Sequence, residues 1–226
     1  MKSIIRLKEL LALTVKSKGQ DHYAYFKEIA KLLMNQCVIA KGDIYYEIVE
    51  IEFYLYSPDH QDVIVYPRKL SAGQWFFHQS GVDLTFESND KQFGGILIRG
   101  IKRLTPNPDY DNRPLLILGP QKCVNELWDN FSAFQEDPTE YPIIKKNLNI
   151  PIDKEPKEYP RWIKVSEKIS KITYWSNRIL EAGYIVSISN EERLDMVFNT
   201  QYRFFKEQSI DKTSEEWRKY SAKPIF

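Results

Sequence analysis

Cysteine and histidine are scarce in this chain, with two Cys and three His among 226 residues. Cys37 and Cys123 stand far apart and show no Cys-x-x-Cys spacing, so the expectation is a pair of reduced, buried thiols. The histidines have no ligand spacing either, which argues against metal catalysis. Glycine is also limited, at nine residues. They form no Gly-x-Gly-x-x-Gly fingerprint and no Gly-Lys-Ser/Thr loop ending, so no dinucleotide or nucleotide cofactor is expected. No Ser or Cys nucleophile has a base arrangement around it. No Gly/Ser-rich linker interrupts the chain, which reads as one domain over residues 1–226.

Long apolar runs are absent too, and nothing approaches the length that spans a bilayer. Met1 to Glu9 interrupts its apolar residues with charge, unlike a signal peptide. The expectation is a cytoplasmic monomer with no membrane partner. Charge of one sign is missing as well: Lys and Arg number 32 against 31 Asp and Glu, a net charge of +1. So small a total argues against tight non-specific binding of nucleic acid. The distribution is uneven, however. Acids dominate from Asp43 to Glu87, and bases dominate from Lys145 to Arg178, a local basic surface of the kind a nucleic-acid partner needs.

The residues that are present suffice for a globular core, with 42% hydrophobic and 14% aromatic residues. The strongest pattern runs from Ile48 to Leu55, where alternation puts Val49, Ile51, Phe53 and Leu55 on one strand face and Glu50, Glu52 and Tyr54 on the other. A carboxylate with a ring two residues along suits water activation beside a flat substrate. The same pattern also describes an edge strand whose acids keep it soluble.

Helical spacing covers Ile4 to Val15 and Tyr23 to Leu33, with a break at Gly19-Gln20-Asp21. A short strand at 37–40, a turn at 41–43 and a long strand from Tyr45 to Tyr56 follow. The stretch from Gln61 to Ser80 is irregular and aromatic-rich, ending in Trp75-Phe76-Phe77-His78. Gly81 to Phe86 alternates, with Val82, Leu84 and Phe86 on one face, and Gly94 to Ile101 reads as a central strand. Leu115 to Leu118 feeds a helix from about Gln121 to Phe134, with Pro120 in its first turn and an apolar stripe of Cys123, Leu127, Phe131 and Phe134. Another helix is expected from Arg161 to Leu180. Its core face carries Trp162, Val165, Ile169 and Ile172, and beside it Arg161, Lys164, Lys168 and Lys171 form a basic stripe, either solvated or in contact with phosphate. Val197 to Phe205 adds a strand, and the last twenty residues a short helix and tail. The fold class is α/β of the α+β kind, with a mainly antiparallel sheet.

Read in order, several segments resemble the alkyladenine (3-methyladenine) DNA glycosylase family. Ala30 to Ile39 is similar to that family's helix-to-strand entry, and Val49-Glu50-Ile51-Glu52-Phe53-Tyr54-Leu55 to its Val-Glu-Thr-Glu-Ala-Tyr-Leu strand. Ile96-Leu97-Ile98-Arg99-Gly100-Ile101 looks like its Val-Leu-Ile-Arg-Ala-Leu strand, Leu118 to Cys123 like its Gly-Pro-x-Lys-Leu helix start, and Tyr202-Arg203-Phe204-Phe205 like its Arg-Phe-Tyr strand. The collinear agreement covers about residues 29 to 207, with 1–28 as preceding helices, an insert at about 137–160, and 208–226 as a C-terminal helix and tail.

The resemblance implies a curved antiparallel sheet flanked by helices, and release of an alkylated or deaminated purine from a flipped nucleotide in duplex or single-stranded DNA. It implies Glu52 as the water-activating carboxylate and Tyr54 as a ring against the extruded base, where a cationic purine gains about 0.5–2 kcal/mol per aromatic face. Phe86 falls on a second stacking position, though a core phenylalanine fits the same alternation. His60 or His78 stands for a pocket histidine. Arg99 needs a carboxylate or phosphate partner, with Glu50 a candidate. Lys122 at a helix start suits a DNA phosphate or simple capping, and Lys164 and Lys168 extend the DNA-facing stripe. The family's wedge hairpin has no match in Glu87 to Phe93, which is shorter and acidic, leaving Phe93 as a substitute wedge. That departure supports the alternative of a non-catalytic nucleic-acid-binding or structural protein.

Overall fold

Two long strands, Ile44–Ser57 and Phe93–Arg103, pair antiparallel along nearly their whole length and form the spine of the molecule. The computed structural model describes residues 2–12, 22–105, 116–129, 141–147, 156–161, 168–206, 212–213 and 215–221. Within them the order is α1 (Lys2–Ala12), α2 (His22–Gln36), β1 (Cys37–Lys41), β2 (Ile44–Ser57), β3 (His60–Gln61), β4 (Trp75–His78), β5 (Gly81–Thr85), β6 (Phe93–Arg103), β7 (Leu116–Leu118), α3 (Pro120–Leu127), β8 (Ile143–Lys146), β9 (Lys157–Tyr159), α4 (Lys168–Glu181), α5 (Asn190–Phe198), β10 (Arg203–Phe205) and α6 (Glu215–Ser221). The main path of the sheet is β4-β5-β6-β2-β1-β8, and every pairing is antiparallel. The far edge of β2 is divided among β1, β10 and β3, and that of β6 between β5 and β7, so the sheet curls about its two long strands. The architecture is a single mixed α/β domain with a curled antiparallel sheet.

One sheet face is apolar and carries α1 and α2. Leu7, Leu10 and Leu11 recur at helical spacing, as do Phe26, Ile29, Ala30 and Leu33, and both sets pack onto Ile48, Ile51, Phe53, Val82, Leu84, Ile96 and Ile98. The long alternation of β2 is interrupted, however. Register shifts at Ile48/Glu50 and Glu50/Ile51 form a bulge that flips the parity of the strand. Tyr46 and Ile48 therefore join Ile51, Phe53 and Leu55 in the main core, whereas Val49, expected on that face, packs with Leu118 and Phe205.

The opposite face is covered as well. Ile179 of α4 packs with Tyr56, Val65 and Phe93, and Val197 of α5 with Val63 and Ile64. β2 is thus a central strand, and its Glu50 and Glu52 are not solvated. α5 starts with a capping box, in which Ser189 and Glu192 hydrogen bond reciprocally.

Several expected boundaries move. Trp75 to His78 is a strand rather than irregular. The strand expected over Val197–Phe205 shrinks to Arg203–Phe205, because Val197 and Phe198 end α5 and residues 199–202 connect the helix to the strand. The segment read as an insert contributes β8 and β9 to the sheet. Arg161 lies ahead of α4, buried, and not on a solvated helix stripe. Phe131, Phe134, Trp162, Lys164 and Val165 lie outside the described residues. No helix among the described residues is long and apolar enough to cross a membrane.

Candidate functional site

Alternation in β2, β5 and β6 sends Glu50, Glu52, Tyr54, Asp83, Leu97 and Arg99 to the face away from α1 and α2. Asp83 stands opposite Leu97, and Leu97 opposite Glu52, so the polar groups gather on three adjacent strands. The segment after β3 and the helix α4 roof this face without sealing it. A cleft of about 620 Å³ remains, lined by Tyr54, Tyr66, Arg68, His78, Asp83, Arg99 and the inward face of α4, a size that suits a small ligand.

Behind the wall lies a charged layer. Glu52 is 0% exposed, and its Oε2 accepts hydrogen bonds from the Tyr54 hydroxyl at 2.5 Å and Arg99 Nη1 at 3.2 Å. Glu50 Oε1 lies 3.4 Å from Arg99 Nε and 3.6 Å from Arg203 Nη1. Glu50 and Glu52 are therefore held among cations that neighbouring strands supply, the arrangement that makes buried carboxylates tolerable. Burial, followed by the Glu52 charge, pushes the Tyr54 phenol well above its ordinary range, so Tyr54 keeps its proton and donates it.

Asp83 is held by Arg68 Nη1 at 2.7 Å and His78 Nε2 at 3.0 Å. Burial works against its charge, but the hydrogen bond from His78 and the charge of Arg68 outweigh it and leave the carboxyl below its ordinary range. The His78 Nδ1 accepts the Ser80 N–H at 3.2 Å, which places the ring proton on Nε2, facing Asp83. Both ring nitrogens are thereby engaged, and His78 braces Asp83. The Arg68 guanidinium stacks over Phe76 at 4.1 Å, and that of Arg178 over Tyr66 at 4.2 Å. Arg178 also donates to the carbonyls of Ile64 and Val65.

Gly95 gives the Arg68–Asp83 pair its room, since a Cβ there would stand 2.8 Å from both Arg68 Nη1 and Asp83 Cβ. Gly95→Ala is expected to lower stability by about 1–3 kcal/mol through overpacking. Denaturant titration checks this, and an unchanged midpoint would mean that the pair relaxes without cost.

The structure brings Tyr54, His78 and Arg99 to the cleft, with Glu52 directly behind. It places two of the expected base-binding residues elsewhere. Phe86 is in the apolar core, its ring 6.4 Å from Phe53 and 6.0 Å from Tyr25, because its strand parity matches that of Leu84. His60 is also buried in the interior, with Nδ1 2.6 Å from the Leu55 carbonyl and Nε2 2.8 Å from the Tyr202 hydroxyl. Phe93, the substitute wedge, is buried against Tyr56 with ring centroids 5.0 Å apart. Lys122 is exposed on α3, whose first turn abuts the cleft rim where Gln121 Nε2 donates to the Gln79 carbonyl. The backbone of Lys168 opens α4.

Lys171 of the expected basic stripe lines the wall, and residues that sequence reasoning did not single out complete it: Tyr66, Arg68, Asp83, Tyr174, Trp175 and Arg178. Asp83 was legible as the residue left facing away from Val82 and Leu84. A second cavity of about 700 Å³ beside α1 is walled mainly by Leu7, Leu11, Trp75, Phe77, Trp128 and Ile143. It offers little for chemistry. Among the described residues, no group of three His, Cys, Asp or Glu side chains is placed to hold a metal ion.

Comparison with curated proteins finds similarity to an uncharacterised protein, L759, of Acanthamoeba polyphaga mimivirus. The two are 26% identical over an alignment of 153 residues, which takes in 57% of this chain and 68% of that protein. No protein-family model matches the chain. No solved structure matches it.

Proposed function

We propose that the cleft binds one nucleotide unit of a nucleic acid, and that Glu52 holds the cleft together without activating water. The observation that carries this reading is the composition of the wall. The rings of Tyr54, Tyr66, Tyr174 and Trp175 are interleaved with the cations of Arg68, Arg99, Lys171 and Arg178, and Asp83 is the one carboxylate among the described residues of the wall. Flat faces suit a base and cations suit its phosphate. The segmental resemblance to alkyladenine DNA glycosylases supports a nucleic acid as the source of that nucleotide. Against catalysis stands the closure of Glu52, which Tyr54 and Arg99 separate from any water in the cleft.

Base release is the second reading, and one observation favours it: Glu52 lies a single hydroxyl behind the wall, hydrogen bonded to a ring that a bound base would touch. One experiment separates the two. Labelled oligonucleotides carrying methylated adenine or hypoxanthine are titrated by fluorescence anisotropy, and the same mixtures are analysed for free base. The expected result is saturable binding with no free base. Glu52→Gln keeps an acceptor for Tyr54 but removes a charge from Arg99, so it is expected to cost about 1–3 kcal/mol of stability and to leave affinity unchanged. Free base that appears with the parent protein and vanishes with Glu52→Gln would establish the second reading.

A further inference from the structure

We infer that the nucleic acid enters this cleft as a single strand rather than a duplex, an inference that rests on the nucleotide-binding reading above and narrows it. The first observation is the inner face of α4. Lys171, Tyr174, Trp175 and Arg178 stand at positions i, i+3, i+4 and i+7, one stripe of the helix, and all four line the cleft. A cation at each end and two rings between them make a track on which an unpaired base stacks while the backbone follows the charges. Tyr174 is 63% exposed, an unusual position for a large ring and one that leaves a face open at the mouth. Arg178 is fixed by its bonds to Ile64 and Val65 and by its stack on Tyr66, so one end of the track is rigid.

The second observation concerns what a duplex would require. Taking a base out of a duplex calls for a side chain that can enter the stack. The turn between β5 and β6 is instead closed upon itself. Asn89 Oδ1 accepts the N–H groups of Lys91 and Gln92, the Gln92 amide donates to the Glu87 carbonyl, and the Tyr184 hydroxyl donates to the Asn89 carbonyl. The large rings at its two ends, Phe86 and Phe93, are both buried beneath it. Among the described residues, the exposed apolar side chain on the cleft wall is Tyr174, and its place in the α4 stripe suits stacking along a strand. The net charge of +1 also leaves little to hold the dense phosphates of a duplex, while a short track needs only a few contacts.

The test uses the whole chain and three fluorescein-labelled 20-mers of one mixed sequence: single-stranded DNA, the matching RNA, and the DNA duplex. Anisotropy titrations at low salt are expected to show at least one single strand bound about tenfold or more tighter than the duplex, and the tighter of the two strands identifies the sugar. Tyr174→Ala, at an exposed position that leaves the core untouched, is expected to weaken that strand about fivefold or more. Lys171→Gln is expected to lower the salt dependence by about one counterion. A duplex bound as tightly as the strands would overturn the inference and leave the nucleotide-binding reading in place. Strand binding indifferent to Tyr174→Ala would overturn it as well, because the strand would then lie off α4. Binding of none of the three would overturn both.

Discussion

Arg161→Ala is expected to cost about 3–5 kcal/mol of stability, the penalty for leaving a buried carboxylate without its cation. Asp62 is wholly buried and receives hydrogen bonds from both Nη1 and Nη2 of Arg161. The same guanidinium donates to the carbonyls of Phe53 and Met196, and it lies over the rings of Tyr54 at 5.0 Å and Tyr202 at 5.4 Å. One side chain therefore ties β2, the segment after β3 and α5 together beneath the cleft. Domains are stable by only about 5–15 kcal/mol, so the variant should unfold at markedly lower denaturant. Equilibrium unfolding in guanidinium measures this. The double substitution Asp62→Leu with Arg161→Met should recover most of the loss, since an apolar pair of similar volume escapes the desolvation penalty. A loss below about 1 kcal/mol for Arg161→Ala would mean that water reaches Asp62 and that the pair behaves as a surface contact.

The long sheet strands and the N-terminal helices were legible in the sequence because their signals are local: two-residue alternation in β2 and β5, a nearly continuous apolar run in β6, helical spacing in α1 and α2. The layer that makes the site was not. Alternation in β2 set Glu50, Glu52 and Tyr54 apart from Ile51, Phe53 and Leu55, but it could not say whether the polar face meets water or arginines. Arg99, Arg203 and Arg161 reach that face from positions 47 to more than 100 residues distant, and only strand pairing brings them there. The bulge at Val49 left no mark either, since an apolar residue fits both parities. β4 was missed because Trp75, Phe76, Phe77 and His78 offer no contrast between faces. α5 was missed because most of its residues are polar, although Ser189 and Glu192 carried a capping signal. On α4, attention to charge alone picked out Lys168 and Lys171 and passed over the aromatic residues between Lys171 and Arg178.

Acidification should reveal where His60 sits. Desolvation by burial, the largest influence, draws its pKa from the ordinary 6.5 down to about 4, with the Asp62 charge opposing and the His22 and Arg161 charges reinforcing the fall. The His22 ring lies 4.5 Å away, and Asp62 is itself committed to Arg161. The sign follows from proton uptake. Between pH 6.5 and 4 the unfolded chain binds a proton at this residue that the folded chain refuses, so stability falls as the pH falls through that window. Above pH 6.5 the residue has no effect, and below pH 4 the loss levels off at about 3 kcal/mol. Guanidinium midpoints at pH 7 and pH 4, compared with those of His60→Gln, isolate this contribution from carboxylates that titrate in the same range. The parent should lose the larger share on acidification. Equal losses in both proteins would mean that His60 is solvated, with a wall position on the cleft then restored to it.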